Sequence, residues 1–389
     1  MLARLKCLFK TITAVFLLVF TIHIAYAAEN SVYIDTHVHL RGNTLEGSAL
    51  GPQKSPSRKP RGPFFPRKRG PKMGENRGSE SQGLDQAVSG LFYQMDRYKV
   101  AQALVVVVPG HNSDPDEEYQ KFLSVTRRYP ERLKLIAGGA RLSPYLQKID
   151  ADAVTDADRG RFRAVAESIL ADGAVGFGEM LSYHLCLGPT HSFQLAPADH
   201  PLFLLLADIA AEHDVPIDLH MEAVTRSRPM PENLLQTCSK NPSTLEPTIP
   251  ALETLLAHDR NARIVWQHIG WDNTGDMAPS LIRHLITQHP NLYLALRVEN
   301  RDWQVGSAGA MPNRLVDTTG AIDPEWLALI NDFPDRFMIG SDEFFFSTTG
   351  EARPNQSFEG TWRILDQLAE PVARKVGHEN AARVYRLAL

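Results

Sequence analysis

Gln102 to Gly110 reads QALVVVVPG. Six of these nine residues are apolar, most are β-branched, and the run stops at Pro-Gly. Such a segment suits a strand buried on both faces, as in a parallel sheet. Just before it, Leu84, Val88, Leu91, Phe92 and Met95 recur at the spacing of one helix face. Working outward, the same alternation returns. LKLIAGGA (Leu133–Ala140), GAVGFGEM (Gly173–Met180), VPIDLHME (Val215–Glu222), ARIVWQHIG (Ala262–Gly270), NLYLALRVE (Asn291–Glu299) and RFMIGSDEF (Arg336–Phe344) read as strands, with helix-like segments between them. Upstream, YIDTHVHL (Tyr33–Leu40) completes the set. Strands joined by helices imply right-handed crossovers and a parallel sheet. Eight of them in a chain of this length predict an α/β fold of the closed (β/α)8 barrel type, a TIM barrel. An open doubly wound sheet is the alternative, and the missing Gly-rich phosphate loop after the first strand weighs against it.

Ahead of the first strand the chain has a different character. Arg4, Lys6 and Lys10 make a basic start, Thr11 to Ala25 is mostly apolar, and Ala25-Tyr26-Ala27 presents small residues around a larger one. This pattern predicts a signal peptide over 1–27, cleaved after Ala27, and a periplasmic or secreted protein. An uncleaved anchor is the alternative. Cys7 lies in the basic region, ahead of the apolar run, where lipid attachment does not fit. No other stretch approaches the roughly 20 apolar residues that span a bilayer. Residues 28–389 are then expected to form a single barrel domain, with a hydrophobic fraction of 43% ample for a core. The formal charge of −4 gives no reason to expect nucleic acid.

One insert interrupts the rhythm after the first strand, over 41–80. Within it, KSPSRKPRGPFFPRKRGPK (54–72) has eight basic residues and no acidic one, mixed with Pro and Gly. It predicts a long basic loop. A solvated insert is the plain reading; docking on an anionic envelope surface is the functional one.

Barrels of this kind place their active sites at the C-terminal ends of the strands. The polar residues predicted there are His37 and His39 on strand 1, Glu179 on strand 4, His220 on strand 5, His268 on strand 6 and Asp342 on strand 8. His37 and His39 are two apart and share a strand face. Each residue alone is a weak signal. Together, six titratable groups on one rim would be costly to desolvate without compensation. A metal ion provides it, and imidazole with carboxylate suits zinc and similar ions.

This set resembles the amidohydrolase superfamily, which carries H-x-H on strand 1, Lys or Glu on strand 4, His on strands 5 and 6, and Asp on strand 8. GHENAARVYRL (Gly377–Leu387) is similar to the closing helix of that family, and MDRYKVAQALVVVVPG (Met95–Gly110) to its amidohydrolase-related branch. The resemblance implies a metal-dependent hydrolase with one or two divalent ions. Zn2+ is the first choice, followed by Mn2+, Co2+, Fe2+ or Ni2+. It implies that His37, His39 and Asp342 hold one ion, that His220 and His268 hold a second, and that Glu179 bridges them. A single ion, with Glu179 outside its ligand set and His220 or His268 freed for catalysis, is the alternative. The ion would activate water, and Asp342 would take its proton, with His268 the second catalytic candidate.

Substrate contacts are expected from Arg297 and Arg141, as binders of a carboxylate or phosphate, and from Trp271, Trp303 and Phe344 to Phe346 as an aromatic wall. An ion pair with Glu299 is the plain reading of Arg297, and core packing that of the aromatics. A small molecule bearing an ester, lactone, amide or phosphoester bond is the expected partner, and a homo-oligomer is left open. Beyond the signal, Cys186 and Cys238 fall in the loops after strands 4 and 5, where a disulfide would pin the rim; free thiols are the alternative. Two other functions stay open: a mononuclear decarboxylase of the same superfamily, and an envelope-binding protein with a structural metal.

Overall fold

The computed structural model describes residues 33–41, 77–107, 114–188, 191–298, 311–346 and 356–388. The expected signal peptide, the basic run 54–72, Trp303 and Glu299 lie outside them. Strands and helices alternate: β1 (Tyr33–Arg41), α1 (Arg77–Arg97), β2 (Val100–Val106), α2 (Pro115–Arg128), β3 (Leu133–Gly138), α3 (Asp156–Ala171), β4 (Gly176–His184), α4 (Pro201–Glu212), β5 (Pro216–Met221), α5 (Ile249–His258), β6 (Arg263–Ile269), α6 (Pro279–Gln288), β7 (Leu292–Leu296), α7 (Pro324–Asp332), β8 (Phe337–Ile339), β9 (Glu343–Phe346) and α8 (Asn380–Tyr385).

The strands pair in the order β8-β7-β6-β5-β4-β3-β2-β1-β9, and every neighbouring pair on this path is parallel. The two ends of the path belong to one segment. β8 pairs with β7, the chain breaks step at Gly340 to Asp342, and β9 then pairs with β1. The break is bonded to β1 as well: the amide of Asp342 donates to the carbonyl of His37 at 2.9 Å, and the Thr36 hydroxyl donates to the carbonyl of Ile339 at 2.8 Å. The eighth strand therefore closes a (β/α)8 barrel in two halves. One short strand, Gln194–Leu195, runs antiparallel to the end of β4.

The helices bury one face each against the barrel wall. In α4, Leu202, Leu206, Ile209 and Ala210 are buried at helical spacing. α3 is started by a capping box in which Thr155 and Asp158 satisfy one another's backbone amides. A smaller apolar cluster fills the barrel: Ile34, Leu104, Val106, Ile136, Val265, Ala295 and Met338, joined by Ala381, Val384 and Tyr385 of α8. The closing helix thus plugs the floor, and the Tyr385 hydroxyl donates to Asp218 Oδ1 at 2.5 Å inside it.

Element boundaries depart from the sequence reading in three places. β4 runs on to His184 rather than stopping near Met180. The eighth strand is split. The insert predicted over 41–80 is shorter at both ends, because Arg41 still pairs with Phe346 and residues 77–80 form the first turn of α1.

Candidate metal centre

His37 and His39 project together from β1, with their Nε2 atoms 3.1 Å apart. Simple alternation delivers this pair. His220 is two residues beyond Asp218 on β5, and both face the barrel interior. Two of the remaining groups arrive by broken alternation. His268 has φ 64° and Asp342 φ 53°, the left-handed region that non-glycine residues rarely occupy. Gln267 and His268 are consecutive and both buried beside the interior.

Glu179 stands at the centre of the group. Its Oε1 is 2.6 Å from His220 Nδ1 and 2.8 Å from His268 Nε2, with His37 Nε2 at 3.9 Å. Asp342 Oδ1 lies 3.0 Å from His39 Nε2 and 3.8 Å from His37 Nε2, and its Oδ2 is 3.7 Å from His268 Nδ1. All six residues except His220 are buried. Burial alone would raise both carboxylates, but His220, His268 and His37 hold Glu179 well below the usual range, and Arg297, His268 and His39 do the same for Asp342. Burial keeps His37 neutral, with the neighbouring His39 and His268 acting in the same direction.

These donors fit a divalent cation. His39 Nδ1 faces the carbonyl of Val106 at 3.3 Å, which places its proton there and turns the Nε2 lone pair into the centre. His37 Nδ1 and His268 Nδ1 are buried without hydrogen-bond partners among the described residues. Gaps of 3.7–3.9 Å between imidazole nitrogen and carboxylate oxygen are too long for hydrogen bonds. They match ligands that share an ion about 2 Å from each. Three donor groups emerge: His37, His39 and Glu179; Glu179, His220 and His268; His37, His268 and Asp342. Glu179 is the one residue common to the first two.

A family model described as Amidohydrolase matches residues 34–387. The chain belongs to this amidohydrolase family. No curated protein sequence matches the chain. Solved structures similar to this amidohydrolase include a 5-carboxyvanillate decarboxylase from Novosphingobium aromaticivorans with bound manganese and 3-methoxy-4-hydroxy-5-nitrobenzoic acid, at 13% identity and TM-score 0.48, covering 92% of this chain and 97% of that one. Others are a 2,6-dihydroxybenzoate decarboxylase from Rhizobium (13%, TM-score 0.45, covering 92% and 98%) and an amidohydrolase from Bifidobacterium longum subsp. infantis (13%, TM-score 0.44, covering 92% and 99%).

In this amidohydrolase the expected substrate residues divide. Arg297 reaches the centre, but its Nη1 is 2.6 Å from Asp342 Oδ2 and its guanidinium lies 3.9 Å from the centroid of Trp271. Its carboxylate partner is a proposed metal ligand. Trp271 is buried and acts as the platform under that cation. Phe344 stacks on His39 with centroids 4.3 Å apart. Arg141 does not reach the centre. It pairs with Asp116 of α2 at 2.8 Å, donates to Ser168 of α3 at 3.3 Å and covers Tyr119. The chain has left β3 by then, and the turn after Ala140 directs Arg141 into the helix layer. Cys186 and Cys238 are joined by a disulfide that ties the loops after β4 and β5.

Two residues went unremarked in the sequence. His184 ends β4 with its ring 4.8 Å from that of His220, and its Nδ1 donates to the carbonyl of Ser192 at 2.8 Å. The longer β4 is what brings it in, and nothing in the apolar pattern signals that extension. Arg41 is the second. It continues the His37, His39 alternation by one more step, a signal present in the sequence.

Proposed function

We propose that this amidohydrolase is an exported metal-dependent hydrolase acting on an ester, lactone, amide or phosphoester bond. The observation that carries the reading is the position of Glu179, one carboxylate oxygen within 2.8 Å of imidazoles from two different strands and inside two donor groups. On this reading His37, His39, Glu179, His220, His268 and Asp342 would hold the ion or ions, Glu179 being shared by two of the donor groups, with Zn2+ the first candidate. An ion held there supplies Lewis acidity, polarising a substrate oxygen and acidifying water to a pKa near 7.

The protein groups then have distinct tasks. Asp342 accepts the proton of the attacking water at Oδ1, while Arg297 fixes its Oδ2, and returns the proton to the leaving group. His268 has ring nitrogens toward both Glu179 and Asp342 and is the second group able to move a proton. Trp271 and Phe344 exclude water from the flanks. The signal-like segment 1–27 supports export, as does the disulfide, since such bonds persist in oxidising compartments.

The test is elemental mass spectrometry of the purified mature protein, followed by an ester, lactone, amide and phosphoester screen in 18O-labelled water. Metal bound in stoichiometric amount and 18O in the product are the expected results. Carbon dioxide released without 18O incorporation would establish decarboxylation instead. Activity untouched by a chelator that lowers only stability would make the ion structural. Absence of metal after reconstitution would end the metal-enzyme reading.

A further inference from the structure

His37, His39 and Arg41 alternate along β1, so the arginine stands one step beyond the imidazoles toward the barrel mouth. In the parallel pairing of β1 with β9, His39 lies opposite Phe344 and Arg41 opposite Phe346. The rings form a ladder. Phe344 is stacked on His39 at 4.3 Å, and Phe346 is stacked beyond it at 6.3 Å. The Arg41 guanidinium sits 5.7 Å from the centroid of the Phe344 ring.

Of the three arginines at or just beyond the ends of β1, β3 and β7, two are committed to carboxylates. Arg297 holds Asp342, and Arg141 holds Asp116. Among the described residues no hydrogen bond or ion pair engages the Arg41 guanidinium, although the residue is half-buried. Glu118 and Glu179 act on it only through space. The group still stays charged. A half-buried guanidinium with an unused planar fork is poised to pair with an arriving anion. The fork matches a carboxylate or a phosphate, and the adjacent ladder offers a flat apolar surface.

We infer that Arg41 binds an oxyanion of the substrate, and that the substrate is a flat, apolar carboxylate or phosphate whose body lies along Phe344 and Phe346. The inference rests on the metal-centre reading for where the reacting bond sits, because Arg41 stands one alternation step beyond His39. Arg297 then serves Asp342, and Arg41 serves the ligand. Neutral esters and amides lacking an anionic group would be poor substrates.

The experiment is a calorimetric titration of the metal-loaded mature chain with benzoate, phenyl phosphate and benzamide, repeated on Arg41→Gln and Arg41→Lys. Metal content and thermal midpoint are measured on every preparation. A charge-assisted pair predicts that Arg41→Gln weakens the preferred anion by about tenfold or more and leaves benzamide within about twofold, with Arg41→Lys in between. Whichever anion loses more affinity identifies carboxylate or phosphate as the group recognised. The inference is overturned if neither anion binds wild type, if wild type binds benzamide as tightly as both anions, or if Arg41→Gln binds both anions as tightly as wild type. Preparations without metal would overturn the metal-centre reading alone, since the effect of Arg41 on anion affinity is measured independently of catalysis.

Discussion

Replacing Glu179 with glutamine removes one negative charge from the middle of the centre and leaves the side-chain volume nearly unchanged. Two imidazole nitrogens lie 2.6 and 2.8 Å from its Oε1. Contacts of this charge-assisted kind contribute roughly 1.5–3 kcal/mol each, so the two together place about 3–6 kcal/mol on that charge. A bound cation draws on the same charge. At 1.4 kcal/mol per tenfold, the expected weakening of metal binding is roughly a hundredfold to ten-thousandfold. Stoichiometry should fall as well, because Glu179 belongs to two of the three donor groups and only His37, His268 and Asp342 remain intact. At most one equivalent of ion should survive dialysis.

The metal-free protein should lose stability as well. Burial alone would raise the Glu179 carboxyl, but His220, His268 and His37 outweigh it and hold it well below the usual range, so metal-free Glu179→Gln should melt below metal-free wild type at neutral pH. Added metal should then stabilise the variant less. At a free-metal concentration of 100 times the wild-type Kd, wild type gains about 2.7 kcal/mol and a hundredfold weaker site only about 0.4, a loss of about 2.3 kcal/mol. Elemental mass spectrometry, competition against a chromophoric chelator, and calorimetry with and without EDTA measure all three quantities. Unchanged metal content and affinity in Glu179→Gln would refute the assignment of Glu179 as the shared ligand.

Four further outcomes follow from the geometry. Asp342→Asn should lower kcat by about 10²–10⁴-fold with metal still bound; full turnover with metal present would remove Asp342 from proton transfer. Tyr385→Phe should cost about 1–3 kcal/mol of stability by leaving the buried Asp218 carboxylate without its 2.5 Å donor, read as a lower denaturation midpoint. Replacing Cys186 and Cys238 with serine opens a bridge across a sequence separation of 52 and should cost up to about 4 kcal/mol on the chain-entropy model, with metal content preserved. Asp276 accepts bonds from the Thr225 amide and hydroxyl and from Arg228; burial would raise its pKa, but these partners hold it below the ordinary value. Its contribution is therefore present above about pH 4 and is lost as pH falls through the depressed folded value, so wild type and Asp276→Asn should differ in stability at neutral pH and converge in acid.

The barrel was legible because each strand is a short apolar run and each intervening segment carries a helix face. QALVVVVPG and its preceding helix already contain the repeating unit. The six polar groups were legible as residue types at strand ends. Less could be read where direction depends on a turn. Arg141 and Arg41 both stand at the end of a strand and both are cations, yet they behave oppositely. Arg41 is still within β1, so alternation points it along the same face as His37 and His39. Arg141 lies past Gly138, whose φ of 138° takes the chain out of the strand, and the turn leads into a short helix beginning at Ser143. Parity holds inside a strand and fails one turn later.

The same physics explains why the ligand set was readable and its geometry was not. β1 supplies two ligands by plain alternation. β6 and the broken eighth strand supply theirs from left-handed backbone, His268 at 64° and Asp342 at 53°. Each such residue costs on the order of 1–3 kcal/mol and persists only where surrounding bonds hold it. Here they do: the Asp342 amide is bonded to the carbonyl of His37, and the His268 carbonyl accepts from the amide of Trp271 at 2.9 Å. Tying Asp342 to His37 through the backbone also closes the barrel, so the bond that completes the fold and the bond that positions the last ligand are one. A hydrophobic period records neither, because a residue in left-handed backbone leaves the pattern of its neighbours intact while changing where its own side chain points.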